Sequence, residues 1–302
     1  MAKNKKIKPV KAIIALCEGK TEVAFLRRLL KTDGYNDYKQ DAVYKIPKPF
    51  GLAGDKNDKS SYFINKLKTY KYDSGRLHDR PILPIILRRT QGQSDIFLLL
   101  YDMNGMDRPQ NYREIITDFN KLTLPIEDDY FEAFTPIDAA IAFIYDLDDK
   151  SVTERLQHIQ SNYADLIPEL EHLSKNKQIT SSKNYKSIGY HFLKKDDSDA
   201  GNLEDIVLPL MKKGNEHLFD KAADFLNSNG FIRLKKDKSK DENKTQSDLK
   251  KSLIGTVGQL EHSGLGNADI FKLTALLNKD KLKNSSQCQA IIKFFSDMRK
   301  GL

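Results

Sequence analysis

The chain has no tryptophan, and only two of its 302 residues are cysteines, Cys17 and Cys288. They stand near opposite ends, which excludes a disulfide framework and a cysteine-based zinc site. The six histidines, at positions 78, 158, 172, 191, 217 and 262, have no metal-ligand spacing. A metal here would have to be held by carboxylates, which points to a hard cation such as magnesium or manganese. Long apolar runs are also missing. The longest, 95–101 (DIFLLLY) and 139–145 (AAIAFIY), are of strand length, well short of the roughly 18 residues a membrane span needs. The lysine-rich start is followed only by the apolar run 12–17, too short for a signal-peptide core. These absences predict a cytoplasmic protein with no membrane partner. With 39% hydrophobic and 30% charged residues, collagen-like, mucin-like and wholly disordered chains are excluded as well.

What is present is an alternation of buried strands and amphipathic helices. Residues 11–17 (KAIIALC) read as a buried parallel strand. The stretch 21–31 (TEVAFLRRLLK) places apolar residues at 23, 25, 26, 29 and 30, the helical period. Further strands are expected at 94–101, 139–145 and 187–193, and helices at 109–133, 152–173, 205–212 and 217–227. Strand, tight turn and helix repeated in this way predict an α/β fold, a mainly parallel sheet flanked by helices. Residues 36–93 read as an insertion with a loop near 51–60. Residues 235–251 (KKDKSKDENKTQSDLKK) carry one apolar residue, Leu249, and read as a charged linker. Residues 253–302 read as a helical C-terminal extension, with Gly255, Gly258, Gly264 and Gly266 marking turns. The expected organisation is one domain over 1–215 and a helical region over 216–302.

The strands end repeatedly in carboxylates: Glu18, Asp102, Asp146 with Asp148, and a group around Glu204. In open α/β sheets ligands bind beyond the carboxyl ends of the strands. Carboxylates converging there repel one another unless a cation shares them. The sequence Gly19-Lys20-Thr21 resembles the end of a phosphate-binding P-loop, but the first glycine of that loop would fall at position 14, where the chain has Ile14. What remains is Glu18 at a strand end and Glu22 one helical turn on, able to face the same way. Asp146 and Asp148, at i and i+2, point to one side if the segment is extended. For each motif a plainer reading exists, a capped helix or an acidic turn.

Together, Glu18-Gly19-Lys20-Thr21-Glu22 and the FIYDLDD segment with Asp146 and Asp148 resemble the Toprim domain. That domain occurs in topoisomerases, bacterial primases, RNA-maturation nucleases and nucleases related to the overcoming-lysogenization-defect family. The AGNLEDIVLPL segment with Glu204 is similar to a stretch of standalone Toprim proteins. The resemblance covers roughly residues 11–210. It implies a Toprim-like sheet and a metal-dependent nuclease acting on DNA or RNA. Asp146, Asp148, Glu22 and Glu204 would then hold magnesium or manganese, with Glu18 as general acid/base or a further metal contact. Standalone Toprim proteins of this size resemble antiviral-defence effectors paired with an ATPase, and an oligomer is compatible with that picture.

Among the lysines, Lys250 and Lys251 open the Ser-Leu-Ile-Gly element; Lys250 is the candidate for stabilising charge on a cleaved phosphate. The formal charge of +8 and the lysine-rich segments favour backbone contacts from Lys20, Lys150, Lys235 and Lys236. Two other readings stand beside the nuclease. One is a non-cleaving Toprim subunit for regulation or assembly. The other is a primase-like polymerase, disfavoured because no zinc-binding or second catalytic module is visible.

Overall fold

The computed structural model describes residues 10–38, 82–92, 94–123, 137–196, 198–230 and 242–302. Among the described residues seven strands form one sheet: β1 (Val10–Cys17), β2 (Asn36–Asp37), β3 (Ile85–Gln91), β4 (Ser94–Asp102), β5 (Ile137–Asp146), β6 (Ile179–Thr180) and β7 (Ser187–Leu193). Their order is β2-β3-β4-β1-β5-β7-β6. The central four, β4, β1, β5 and β7, run parallel. The edges β3, β2 and β6 are added antiparallel. The fold is α/β with a mainly parallel core.

Alternation along β1 sorts the two faces. Ile13, Ala15 and Cys17 join one core, while Ala12, Ile14 and Leu16 join the other. On the first face lie α1 (Lys20–Lys31), α4 (Leu203–Lys212) and α5 (Glu216–Ser228), together with four C-terminal helices. On the second lie α2 (Pro109–Thr123), α3 (Val152–Tyr163) and a 3-10 turn at Pro168–His172. α1 buries Val23, Phe25, Leu26, Leu29 and Leu30, each contributing about 1.5–3 kcal/mol. α3 starts at a capping box, Ser151 with Glu154, which sequence alone can identify.

The structure corrects several expectations. The helix expected over 152–173 ends at Tyr163 and resumes only as the 3-10 turn, because Pro168 supplies no amide. The 36–93 segment is not wholly an insertion, since β2 and β3 complete one edge of the sheet. Its loop near 51–60 lies outside the described residues, as does the expected helix beyond Thr123. The charged linker is not a linker over its second half. Residues 242–251 form the start of α6 (Glu242–Glu261); 231–241 lie outside the described residues.

Nor do Gly255 and Gly258 mark turns. Both sit inside α6, and a Cβ on Gly258 would lie 2.5 Å from Ile270 of α7 (Asn267–Leu273). The glycine is there for close helix packing. After α8 (Lys279–Lys283), α9 (Ser286–Lys300) packs on β7. Ile254, Phe271, Ile291 and Phe295 of these helices share one core with Ile13 and Phe25. The C-terminal helices are therefore a layer of the sheet domain, and the expected boundary at 215/216 separates no second core. No helix among the described residues is long and apolar enough to cross a membrane.

Candidate active site

β1 and β5 are adjacent and parallel, but the helices that follow them, α1 and α3, cover opposite faces. The chain therefore parts at their carboxyl ends and leaves the crevice that such sheets use for ligands. Glu18 and Asp146 stand at this point. The Glu18 amide donates to the Ile144 carbonyl at 3.1 Å, extending the ladder one residue past β1. The Asp146 amide in turn faces Glu18 Oε2 at 3.4 Å. Asp146 Oδ1 accepts the Leu203 amide at 3.0 Å, so the last residue of β5 also holds the first turn of α4, where a carboxylate is favoured. That places Glu204, only 2% exposed, against the same crevice.

Glu22 sits in the first turn of α1 and is 5% exposed. Gly19, the N-cap, has an extended backbone (φ −151°) that any residue adopts. Its glycine matters for space, since a Cβ there would lie 3.0 Å from Glu22 Oε2. Gly19 thus admits a close approach of the Glu22 carboxylate.

Asp148 does not follow the i, i+2 expectation. Its φ of +53° takes the chain out of the extended conformation, a left-handed position that Asp tolerates better than most residues. Two backbone hydrogen bonds with Gly201 (2.6 and 2.8 Å) pin it there. Its carboxylate is exposed and pairs with Arg155 at 2.7 Å. Asp146 and Asp148 therefore reach the crevice from different backbone settings, one buried and one at the rim.

Burial and mutual repulsion act together on the inner carboxylates. Burial, then Glu22 and Asp148, push Glu18 up to about 7, against the pull of Arg155. Burial drives Asp146 well above its ordinary value, with Glu22, Glu18, Glu204 and Asp148 adding to it. Burial also raises Glu22, and it raises Glu204 to about 7. The shared causes show that these side chains feel one another's charge.

Lys251 completes the set. It is exposed at the edge of the set; partial desolvation pulls its ammonium down, but Glu204, Asp146, Glu22 and Asp148 outweigh that and hold it above the ordinary value. Lys250, the residue favoured from sequence, turns elsewhere: its Nζ lies 2.6 Å from Asp205 Oδ1, behind the first turn of α4. Adjacent residues on a helix point about 100° apart, and α6 turns Lys251 toward the crevice. Lys20 opens α1 and is exposed. Lys150 is exposed with its Nζ 3.7 Å from Asp149. Lys235 and Lys236 lie outside the described residues.

Two supporting residues were missed from sequence. Arg155, on the first turns of α3, holds Asp148 and also donates to the Leu147 carbonyl at 3.3 Å. Asn202 caps α4; in the amide orientation that satisfies its neighbours it donates to Glu204 Oε2 at 3.2 Å and Asp205 Oδ2 at 3.1 Å. A basic residue one helical turn into a capped helix, and an Asn just ahead of an acidic pair, were the available signals.

The donor set is oxygen-only and overloaded with negative charge, the chemistry that suits magnesium or manganese. Among the described residues, however, no three carboxylate, histidine or cysteine groups converge closely enough to hold an ion as they stand. The set fits a hard cation by chemistry, and its side chains would have to close around one.

No curated protein and no solved structure matches the chain. A family model described as a protein of unknown function, DUF3226, matches residues 13–299. The match runs from β1 through α9 and takes in both acidic motifs and the helices that carry Lys250 and Lys251. On that extent the chain belongs to the DUF3226 family.

Proposed function

We propose that this chain is a divalent-cation-dependent nuclease with a Toprim-like core, hydrolysing phosphodiester bonds of DNA or RNA. The observation that carries the reading is the pair Glu18 and Asp146 at the ends of adjacent parallel strands, both pushed up by burial and by the neighbouring carboxylates Glu22 and Asp148. Asp146, Glu22 and Glu204 would hold magnesium or manganese, with Asp148 at the rim. Such an ion supplies charge neutralisation on the phosphate and a more acidic bound water. Glu18, near 7, is tuned to take or give a proton at neutral pH, a role typically worth about 10²–10⁴ in rate. Lys251 places a fixed positive charge where a phosphate would gain negative charge. Arg155 keeps Asp148 oriented, and Asp146 keeps α4 and Glu204 in place.

One observation favours a second reading, the non-cleaving subunit: the carboxylates do not converge without a cation. An ATPase partner and a role in antiviral defence rest on the sequence resemblance alone. The test is a cleavage assay on plasmid, single-stranded DNA and tRNA, with magnesium, manganese or EDTA, and with and without ATPases encoded beside the gene. Cation-dependent cleavage that Glu18→Gln abolishes, with a smaller loss in Glu22→Gln, is the expected result. Absence of cleavage on every substrate, with a cation-induced rise in melting temperature retained, would select the non-cleaving reading.

A further inference from the structure

Arg155 stands at the carboxylate site with more hydrogen-bonding capacity than its neighbours use. Its side chain is 13% exposed. A guanidinium carries five N–H donors in a flat fork that grips a carboxylate or a phosphate with two arms. Here Nη2 reaches Asp148 Oδ2 at 2.7 Å, while Nη1 meets the sulfur of Met106 at 3.0 Å, a weak acceptor. Nε reaches the Leu147 carbonyl at 3.3 Å. Among the described residues no carboxylate takes the second arm. Arg113 shows a filled fork in the same fold: although more exposed, it grips both oxygens of Asp165, at 2.8 and 2.5 Å. A buried charge is costly unless it is paired and fully hydrogen-bonded. A half-used fork at 13% exposure therefore points to a further anionic partner.

Its surroundings say which anion. The loop between β4 and α2 sets Met106 against Arg155, and the same loop is bonded to the end of β1. Its Met103 amide donates to the Cys17 carbonyl at 3.0 Å, and its Gly105 amide to the Glu18 carbonyl at 2.7 Å. The guanidinium is close enough to Glu18 to draw that carboxyl down, against the burial that raises it. Arg155 thus borders the crevice from α3, and Lys251 borders it from α6, its ammonium held by the same carboxylates. The single carboxylate on the fork, Asp148, is 45% exposed at the rim and is itself a candidate cation ligand.

We propose that Arg155 grips the phosphate of the substrate, and that its pair with Asp148 is a latch that opens when Asp148 turns to a cation. The inference rests on the cation-dependent nuclease reading and adds the residue that holds the phosphodiester. Without a cation, Asp148 occupies one arm of the fork. When Asp148 turns to a cation held at Asp146, that arm is freed and both arms take oxygens of the phosphate. Only hydrogen bonds exchange in this step. Nucleic acid is thereby held tightly only at a cation-loaded site, and the backbone is kept off a site that cannot cut.

The test is binding of the full chain to a fluorescent oligodeoxynucleotide and its RNA counterpart, in EDTA and in calcium, which shares magnesium's preference for oxygen ligands. Calcium should tighten wild-type binding about tenfold or more. Arg155→Gln and Arg155→Lys should each lose most of that gain, while calcium still raises their melting temperatures. Lysine keeps the charge but not the fork, so its failure to rescue separates a two-armed grip from general attraction. Asp148→Asn opens the latch without cation, and Asn is accepted at a φ of +53°. In EDTA it should bind about tenfold tighter than wild type, and adding Arg155→Gln should cancel the gain. Asp149→Asn is the control: it removes the same charge one residue on, from a carboxylate beside Lys150, and should change binding far less. The proposal is overturned if both Arg155 variants keep the calcium gain, or if Asp148→Asn binds no tighter than Asp149→Asn. It is overturned too if calcium tightens binding to neither strand. Loss of the calcium-induced rise in melting temperature in both Arg155 variants would also overturn it, since the arginine would then serve the cation and not the phosphate. Calcium-tightened binding that needs Arg155, in a chain that cuts nothing in magnesium, would support the phosphate grip and remove the nuclease reading instead.

Discussion

Glu204→Gln offers a direct measurement of the field inside the carboxylate site. Glu204 is 2% exposed, and burial together with Glu22 lifts it from 4.5 to about 7, against the pull of Lys251 and Lys250. Its value in the folded chain lies above that in the unfolded chain. Between those two values the folded state holds the extra proton, so the associated stability is fully present below about pH 4.5 and is lost as pH rises through about 7. The shift corresponds to about 3 kcal/mol. Gln cannot ionise and loses nothing over that range. Relative to wild type, the variant should therefore gain about 3 kcal/mol between pH 5 and pH 8, or about 4–6 °C in melting temperature for a chain of this size. Thermal unfolding in EDTA across that range is the assay. Added magnesium should then recover stability in the wild type at pH 8 and less in the variant, since ligand bound only to the folded state stabilises it. A difference between wild type and variant that is the same at pH 5 and pH 8 would refute the argument.

Asp146→Asn should abolish cation-dependent activity yet raise the melting temperature without cation, because the Asn oxygen can still accept the Leu203 amide while the repulsion is gone; wild-type cleavage rates in this variant would sink the assignment. Lys251→Met should cost about 10²–10³ in cleavage rate. Lys250→Met should cost far less activity but about 1 kcal/mol of stability from its pair with Asp205; the reverse ranking in parallel rate and unfolding measurements would restore Lys250 as the functional lysine. Gly258→Ala should lower the melting temperature, since its Cβ meets Ile270 at 2.5 Å and overpacking costs about 1–3 kcal/mol against the roughly 1 kcal/mol helix preference for Ala; a stabilised variant would show that α6 and α7 are free to part.

The central strands were legible because both their faces are buried. KAIIALC and AAIAFIY are continuous apolar runs, and such runs of strand length mark parallel interior strands. The edges were not. β3 pairs with one neighbour along most of its length, and its outer half, Arg88 to Gln91, is polar and partly exposed. Its apolar part, Ile85 to Leu87, is too short to separate it from a loop. Gly255 and Gly258 misled for a related reason. A glycine that permits a turn and one that admits a neighbouring side chain look alike until the partner, here Ile270, is in place.

The candidate site divides along the same line, between what is local in the chain and what is not. Glu18, Glu22 and Asp146 owe their places to the strand ends beside them, so the residues that position each one are its own neighbours in sequence. The lysine could not be placed that way. α6 passes the crevice only because Ile254 and Val257 are buried in the core shared with β1 and α1, and those contacts fix which way the helix is rotated. Within 235–251 a single apolar residue, Leu249, is too little to define a face, and Lys250 and Lys251 differ by one step of about 100°. The core side of α6 is set at 254 and 257, and Lys250, four and seven residues before them, lies on that side, where Asp205 of α4 meets it. Lys251 is turned about 100° from Lys250 and is exposed, with Glu204, Asp146, Glu22 and Asp148 acting on its ammonium. The buried residues beyond the tract thus commit Lys250 to a structural pair and leave Lys251, on the next face, for the carboxylates.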